Sequence, residues 1–388
     1  MSFARLFCSF ISQSGKGHDE KSEATTTSDI TTTSSGRFPT STPSGKFASL
    51  ASGKFVPKLN VREEFRKSRG VNSTFMRNYT LLENISATSV NEAILSRNNV
   101  DSPKFPITYF SVHTHRGFAA ANPDKKNQDA IATIQHNESK SLVIACMDGH
   151  GMFGEIVSQY VTKRLEESLC DHTNFTTNLH GAITDTITSI EQEVFATPSI
   201  DCETSGTTLT MAVIRGNTVT VANVGDSRVV IIRKEKNGVK VLPLTYDHTP
   251  ELEEERDRIL SAGGRVFGVK YPDGTTGPNR IWLAQYDAPG LAMSRSVGDR
   301  LVHGVGVIST PTFMEHVIDE DDVAIVVASD GLWNVLSDEE VVKHVMSSRD
   351  SSGAVGLLLR EARIRWLTSG AGTTADDTTV AVAFFHGR

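Results

Sequence analysis

Six acidic residues stand beside apolar, strand-like runs: Asp129 in "KKNQDAIATI", Asp148 in "VIACMDGHG", Asp226 in "VANVGDSR", Asp330 in "AIVVASDGLW", and Asp376 and Asp377 in "TTADDTTVAVAFF". A single Asp at a strand end is an ordinary turn residue. Carboxylates gathered at one edge of sheets instead repel one another and lose hydration, so they persist most readily where a cation offsets them. With oxygen donors and no Cys or His cluster, the fitting ions are hard ones that keep several waters, Mg²⁺ or Mn²⁺. Two such ions about 4 Å apart form the clamp used in phosphate-ester hydrolysis. A hydroxide held between them has a lowered pKa and attacks phosphorus in line, so no protein nucleophile is required. A serine or threonine alkoxide leaves poorly, and an imidazolium within reach helps by protonating it. His150, two residues after Asp148, is near enough.

These residues need elements to hold them. "SGTTLTMAVIRGNTVTVANVGDSRVVIIRK", Ser205 to Lys234, reads as three strands joined by turns at Arg215-Gly216-Asn217 and Gly225-Asp226-Ser227, an antiparallel meander. The spacing of Ile156, Val157, Tyr160, Val161, Leu165 and Leu169 predicts a helix over Phe153 to Leu169, and a weaker pattern spans Leu179 to Phe195. A further helix is expected from Thr249 as N-cap, with Pro250 at its first position, to a stop at Gly263. Ser337 and Glu340 form a capping box for a helix through Met346, and "TTVAVAFF", Thr378 to Phe385, is a closing strand. Segregated strands and helices give an α+β chain with helices packed on antiparallel sheets.

The 388 residues are 38% hydrophobic and 22% charged, proportions that allow a sizeable core. The longest apolar runs, such as Leu142 to Met147 and Val323 to Ala328, fall far short of the ~20 residues of a membrane span. Residues 1–100 hold 13 Lys/Arg against 8 Asp/Glu, which leaves 26 against 38 for the remainder. That acidic body suits divalent cations and is a poor nucleic-acid binder. Cys8, Cys146, Cys170 and Cys202 show no CxxC spacing, which argues against a thiolate zinc site or a disulfide framework and suits a reducing, intracellular compartment.

Residues 1–50 contain 19 Ser or Thr and few apolar side chains to offset chain entropy. A largely disordered extension is expected over 1–104, ahead of a folded domain at 105–388. "SGRF" at 35–38 and "SGKF" at 44–47 and 52–55 form an imperfect repeat, either low-complexity drift or a docking or phosphorylation tail. Phe3, Leu6, Phe7, Phe10 and Ile11 fall at helical spacing, as in a targeting peptide or a weak membrane-touching helix. Asp19, Glu20, Glu23 and Asp29 count against organelle import. With no Gly after Met1, myristoylation is not expected.

In order along the chain, "NQDA", "MDGHG", "SGTTL", "VANVGDSR", "DHTP" followed by "ILSAGGRV", "LAMSRSVGD", "VVASDGLW" and "ADDTTVAV" resemble the motifs of the metal-dependent serine/threonine phosphatases of type 2C. The resemblance covers residues 106–388 and is nearest to the plant and protist branches. It implies a four-layer α-β-β-α sandwich, two antiparallel sheets flanked by helix pairs, with a dinuclear metal site at one end. It also implies that Asp148 bridges both metals, that the Gly149 carbonyl binds the second, and that Asp330 and Asp376 hold the first directly or through water. Asp129 would support the pair through its waters. Asp226 matches a position for a third, weaker metal shared with Asp330, and His150 aligns with the proposed general acid. Phosphoprotein substrates, a signalling role in cytoplasm or nucleus, and a monomer without separate regulatory subunits are implied as well.

Departures from the pattern are local. Many members carry an Arg that grips the substrate phosphate four residues before a Glu-Asp pair; here Asp124 aligns with it and the pair is Gln128-Asp129. Gln128 adds no charge, so somewhat weaker ion binding is expected. Lys125, Lys126 and Arg116 are the cations near the lost Arg, and Lys125 is preferred for phosphate capture, as a point charge rather than a fork. "SGTT" and "SRSVGD", with Gly206, Arg295 and Asp299, read as scaffold. The Gly-, Pro- and Asp-rich part of Asp247 to Gly290 reads as a flap beside the site that shapes substrate choice. A phosphoprotein-binding scaffold and a hydrolase of small phosphate esters are the competing functions. The complete acidic set with His150 disfavours the first, and nothing in the sequence dismisses the second.

Overall fold

The structure, a computed structural model, describes residues 107–369 and 373–385. The expectations for the N-terminal extension, its repeat and its amphipathic stretch lie outside these residues. The chain begins with β1 (Ile107–His115), β2 (Phe118–Ala119), β3 (Asp129–His136) and β4 (Ser141–His150), then α1 (Gly154–Ser168) and α2 (Leu179–Ala196). Next come β5 (Gly206–Thr207), β6 (Leu209–Arg215), β7 (Thr218–Val224), β8 (Arg228–Glu235) and β9 (Gly238–Pro243). The segment α3 (Glu253–Ser261), β10 (Arg265–Lys270), β11 (Thr276–Trp282), β12 (Pro289–Leu291), β13 (Val297–Gly298) and α4 (Arg300–His303) follows. The last elements are β14 (Thr312–Val317), β15 (Asp322–Ala328), α5 (Asp330–Trp333), α6 (Asp338–Ser347), α7 (Ser351–Ser369), β16 (Thr374–Ala375) and β17 (Thr378–Phe385).

Two antiparallel sheets carry the fold. One orders its strands β1-β17-β15-β8-β9; the other runs β4-β6-β7-β14, with β3 pairing β4 and the short β5 and β13 lengthening it past the end of β4. Successive side chains of a strand leave on opposite faces, so a strand covered on both sides is apolar throughout. Leu142, Ile144 and Cys146 of β4 enter an apolar seam shared with Ile231 of β8 and Val327 of β15. Val143, Ala145 and Met147 instead pack against Val157 and Val161 of α1 and Ile187 of α2. A third seam joins Val326 of β15 and Val382 of β17 to Val345 of α6 and Leu358 of α7. Each fully buried aliphatic side chain contributes about 1.5–3 kcal/mol, and a one-residue slip would turn every side chain of a strand to the wrong face, so the seams fix register. The helices thus pack on antiparallel sheets, as an α+β chain requires.

Two expectations need correction. β6 and β7 form the expected hairpin, from Leu209↔Val224 to Arg215↔Thr218. β8, however, pairs with β15 and β9 in the other sheet, so Ser205 to Lys234 is not a meander. The turn at Gly225-Asp226-Ser227 carries the chain between sheets, with Gly225 at a φ of 107° that glycine alone adopts readily. Thr249 does not cap α3: Leu252 is the N-cap and its N–H returns to the Thr249 carbonyl as a turn. The three carboxylates Glu253, Glu254 and Glu255 then sit at the positive end of the helix. Gly263, at a φ of 85°, ends it as expected, and the Ser337–Glu340 capping box is formed. The flap segment builds a small sheet of its own, β10-β11-β12.

Candidate active site

Asp148 ends the apolar run of β4 and lies opposite Asp129 of β3 in the ladder. Like charges directly opposite destabilise a sheet, and both carboxylates are buried, Asp129 at 5% and Asp148 at 1% exposure. Burial, reinforced by the charges of Asp377 and Asp376, pushes the Asp129 carboxyl up to about 7. Ser329 Oγ donates to its Oδ2 at 2.7 Å, while Oδ1 has no hydrogen-bond partner among the described residues. Burial also drives the Cys146 thiol up, helped by Asp129, Asp148 and Asp330.

Hydrogen bonds fasten the turns that carry the other acidic residues to neighbouring elements. Asp330 opens α5 directly after β15, and the preceding Ser329 accepts the Thr379 N–H at 3.0 Å, which fastens this turn to the start of β17. Gly331 packs so closely on the Asp377 carbonyl that no Cβ would fit. Asp330 Oδ2 accepts from Asn334 Nδ2 at 2.9 Å, and Asp376 Oδ1 accepts the Asp377 N–H at 2.9 Å. Asp226 joins through Thr208: the Asp148 N–H donates to Thr208 Oγ1 at 2.9 Å, and that hydroxyl lies 2.9 Å from Ser227 Oγ. The Gly225 N–H donates to Nδ1 of buried His248 at 3.1 Å, and Nε2 of the same ring is 3.0 Å from Thr312 Oγ1. Burial, with Arg295 adding to it, lowers the His248 pKa to about 4, so the ring that pins the Asp226 turn is neutral.

Three residues set the loop ahead of β3. A Cβ on Gly149 would strike the carbonyls of Gln128 and Gly154, and the Gly149 N–H donates to Gln128 O at 3.1 Å. Gln128 commits its side-chain amide to Gly151 O at 2.8 Å. Asp377 accepts the N–H groups of Gly117 at 2.6 Å and Gln128 at 2.9 Å and pairs with the ammonium of Lys125. Lys126 pairs with Glu155 at 2.5 Å. Asp377 was legible only as another strand-end carboxylate, yet it organises this loop.

His150, the last residue of β4, places Nε2 2.6 Å from Asp299 Oδ2. Sequence reading assigns Asp299 to scaffold, because 149 positions separate the pair and no local pattern connects them. Among the described residues, no three His, Cys, Asp or Glu side chains converge as a ready-made metal cage. The donor chemistry nevertheless fits hard divalent cations, since Asp129 offers a buried oxygen without a hydrogen-bond partner and faces a second carboxylate.

The arrangement is similar to that of a serine-threonine phosphatase 2C from Toxoplasma gondii, with a TM-score of 0.62 at 20% identity over 73% of this chain and 96% of that one. It is also similar to a C. elegans sex determining protein, with a TM-score of 0.58 at 19% identity over 72% and 65% of the two chains. At such identities the likeness defines the fold, that of the type 2C phosphatases. Sequence carries it further. Residues 110–365 match the family model for Protein phosphatase 2C. "Probable protein phosphatase 2C 61" of Arabidopsis thaliana is 36% identical over 260 residues, 66% of this chain and 79% of that protein. "Probable protein phosphatase 2C 73" of Oryza sativa subsp. japonica is 32% identical over 309 residues, 71% and 72% of the two. The chain belongs to the protein phosphatase 2C family of metal-dependent serine/threonine protein phosphatases, with plant members among its relatives. No helix among the described residues is long and apolar enough to cross a membrane.

Proposed function

We propose that the protein removes phosphate from phosphoserine and phosphothreonine in protein substrates, using two Mg²⁺ or Mn²⁺ ions held at the carboxylate end of the sheets. The observation that carries this reading is Asp129, a buried carboxylate facing Asp148 across the ladder with one oxygen lacking a hydrogen-bond partner. Asp148 and the Gly149 carbonyl, with Asp330 and Asp376, would hold the pair; Asp129 would act through water, and Asp226 with Asp330 would take a third ion. Bound divalent cations supply a water of lowered pKa and neutralise phosphoryl oxygens. The chain's own residues do the rest. Lys125, a point charge beside Asp377, would meet the phosphate, and His150 would give a proton to the departing oxygen.

Residues 105–388 form the catalytic unit in this reading, a four-layer α-β-β-α sandwich working as a monomer on phosphoproteins in cellular signalling. The free thiols of Cys146, Cys170 and Cys202 support an intracellular setting, cytoplasm or nucleus. Calorimetric titration with Mn²⁺ tests the ion pair without reference to turnover. Wild type should bind two ions, and Asp148→Asn should weaken or abolish both binding events. Equal binding by the two proteins would refute the assignment.

A further inference from the structure

His150 ends β4 at a point where two short ladders meet, β4 with β5 and β5 with β13. It lies opposite Gly206 of β5, and Gly206 lies opposite Gly298 of β13, so the residue after Gly298, Asp299, arrives beside the imidazole. Asp299 is 1% exposed and has a left-handed backbone with φ of 48°. Its N–H donates to Ser205 O at 3.0 Å. Ser296 Oγ donates at 2.5 Å to the same Oδ2 that receives His150 Nε2 at 2.6 Å. Gly206 allows this approach, since a Cβ there would run into both Asp299 Oδ2 and His150 Nε2. The other ring nitrogen, Nδ1, is buried and has no hydrogen-bond partner among the described residues.

A ring nitrogen bonded to a carboxylate keeps its proton, and that bond fixes what the other nitrogen can do. We propose that Asp299 is the positioning residue of His150, holding the imidazole by Nε2 so that Nδ1 is the atom that hands a proton to the departing serine or threonine oxygen. The inference rests on the reading of His150 as general acid. In that step water oxygen bonds to phosphorus and the bond from phosphorus to the alcohol oxygen breaks. The electron pair stays on the alcohol oxygen, which takes the Nδ1 proton. The protons of the attacking water stay on the phosphate; His150 is left neutral with Nε2–H still on Asp299, and one of those protons returns to Nδ1 as the product departs.

Leaving groups separate the possibilities. A phosphothreonine peptide needs its alkoxide protonated, whereas the phenolate of p-nitrophenyl phosphate departs without help. Both substrates would be assayed with Mn²⁺ on the full chain carrying His150→Ala, Asp299→Asn, or both. Asn keeps the volume of Asp and tolerates the left-handed backbone, so the change is confined to the carboxylate. Asp299→Asn should lower kcat on the peptide by about 100-fold with KM little changed, and slow the aryl ester far less. The double variant should be no slower on the peptide than His150→Ala alone.

Equal slowing on both substrates, or a double variant whose loss is the product of the two single losses, would make Asp299 a scaffold residue and overturn the inference. A His150→Ala variant indifferent to the leaving group would instead refute the general-acid reading and take the inference with it. Should Asp299→Asn fail to fold, Ser296→Ala carries the same comparison. Selective slowing of the peptide supports the inference, and equal slowing or none contradicts it.

Discussion

Asp129 and Asp148 oppose each other in the ladder, and their repulsion is a cost that a bound cation would relieve. Asp129→Asn should therefore move two properties in opposite directions. In EDTA the variant should melt at a higher temperature than wild type, because a buried like charge is gone while Ser329 keeps an acceptor. Its Mn²⁺ affinity should fall by about 10- to 100-fold. Thermal melts with EDTA and with Mn²⁺ check both, and a lower melting temperature in EDTA would contradict the first. His248 gives a pH signature. Its folded pKa of about 4 lies below the ordinary histidine value of 6.5. Above pH 6.5 the neutral ring contributes its full stabilisation; between 6.5 and 4 the unfolded chain takes up a proton that the folded one refuses, and below 4 the loss is complete. The difference is roughly 3 kcal/mol. His248→Asn, whose amide oxygen can replace Nδ1 as acceptor for Gly225, should flatten the urea midpoint over that range; an unchanged slope would contradict it. Asp148 and Asp330 were legible because each ends an apolar run beside a Gly. The partner of His150 was not, because spacing along a chain says nothing about two residues joined only through sheet edges.

Where a local device sets an element, its boundaries could be read. The Ser337–Glu340 capping box starts α6 as expected. Ser337→Ala should cost about 1 kcal/mol in urea unfolding, with activity unchanged; no loss of stability would mean that packing of Val341 and Val345 alone fixes the helix start. Where tertiary context decides, the reading failed. Gly225-Asp226-Ser227 has the residues of a hairpin turn, and alternation within β8 cannot reveal which sheet the strand joins. Pro250 resembles a first helical residue, yet the helix waits for the acidic run at Glu253. The 19-residue helix α7 left no clear stripe, since Leu357 faces outward while Leu358 and Trp366 are buried.

Across the whole molecule, three apolar seams hold two sheets and their helices, with Asp129 set opposite Asp148 in the ladder and the Asp330 turn fastened to the start of β17. The order of the motifs was legible because each is a short local stretch that places an acidic residue beside an apolar run. Their mutual packing was not, since it depends on Thr208, Ser329 and Asp377, ordinary residues whose partners lie far away in sequence. Membership of the protein phosphatase 2C family and the acidic end point to the same chemistry. The decisive assay is release of phosphate from a phosphothreonine peptide by the purified full chain, in EDTA, Mg²⁺ or Mn²⁺, beside an Asp330→Asn control. Turnover should appear only with metal and vanish in the control. A folded protein that stays inactive at millimolar Mn²⁺ would contradict the account, mean that Asp124 and Gln128 have disabled the site, and put the phosphoprotein-binding scaffold ahead.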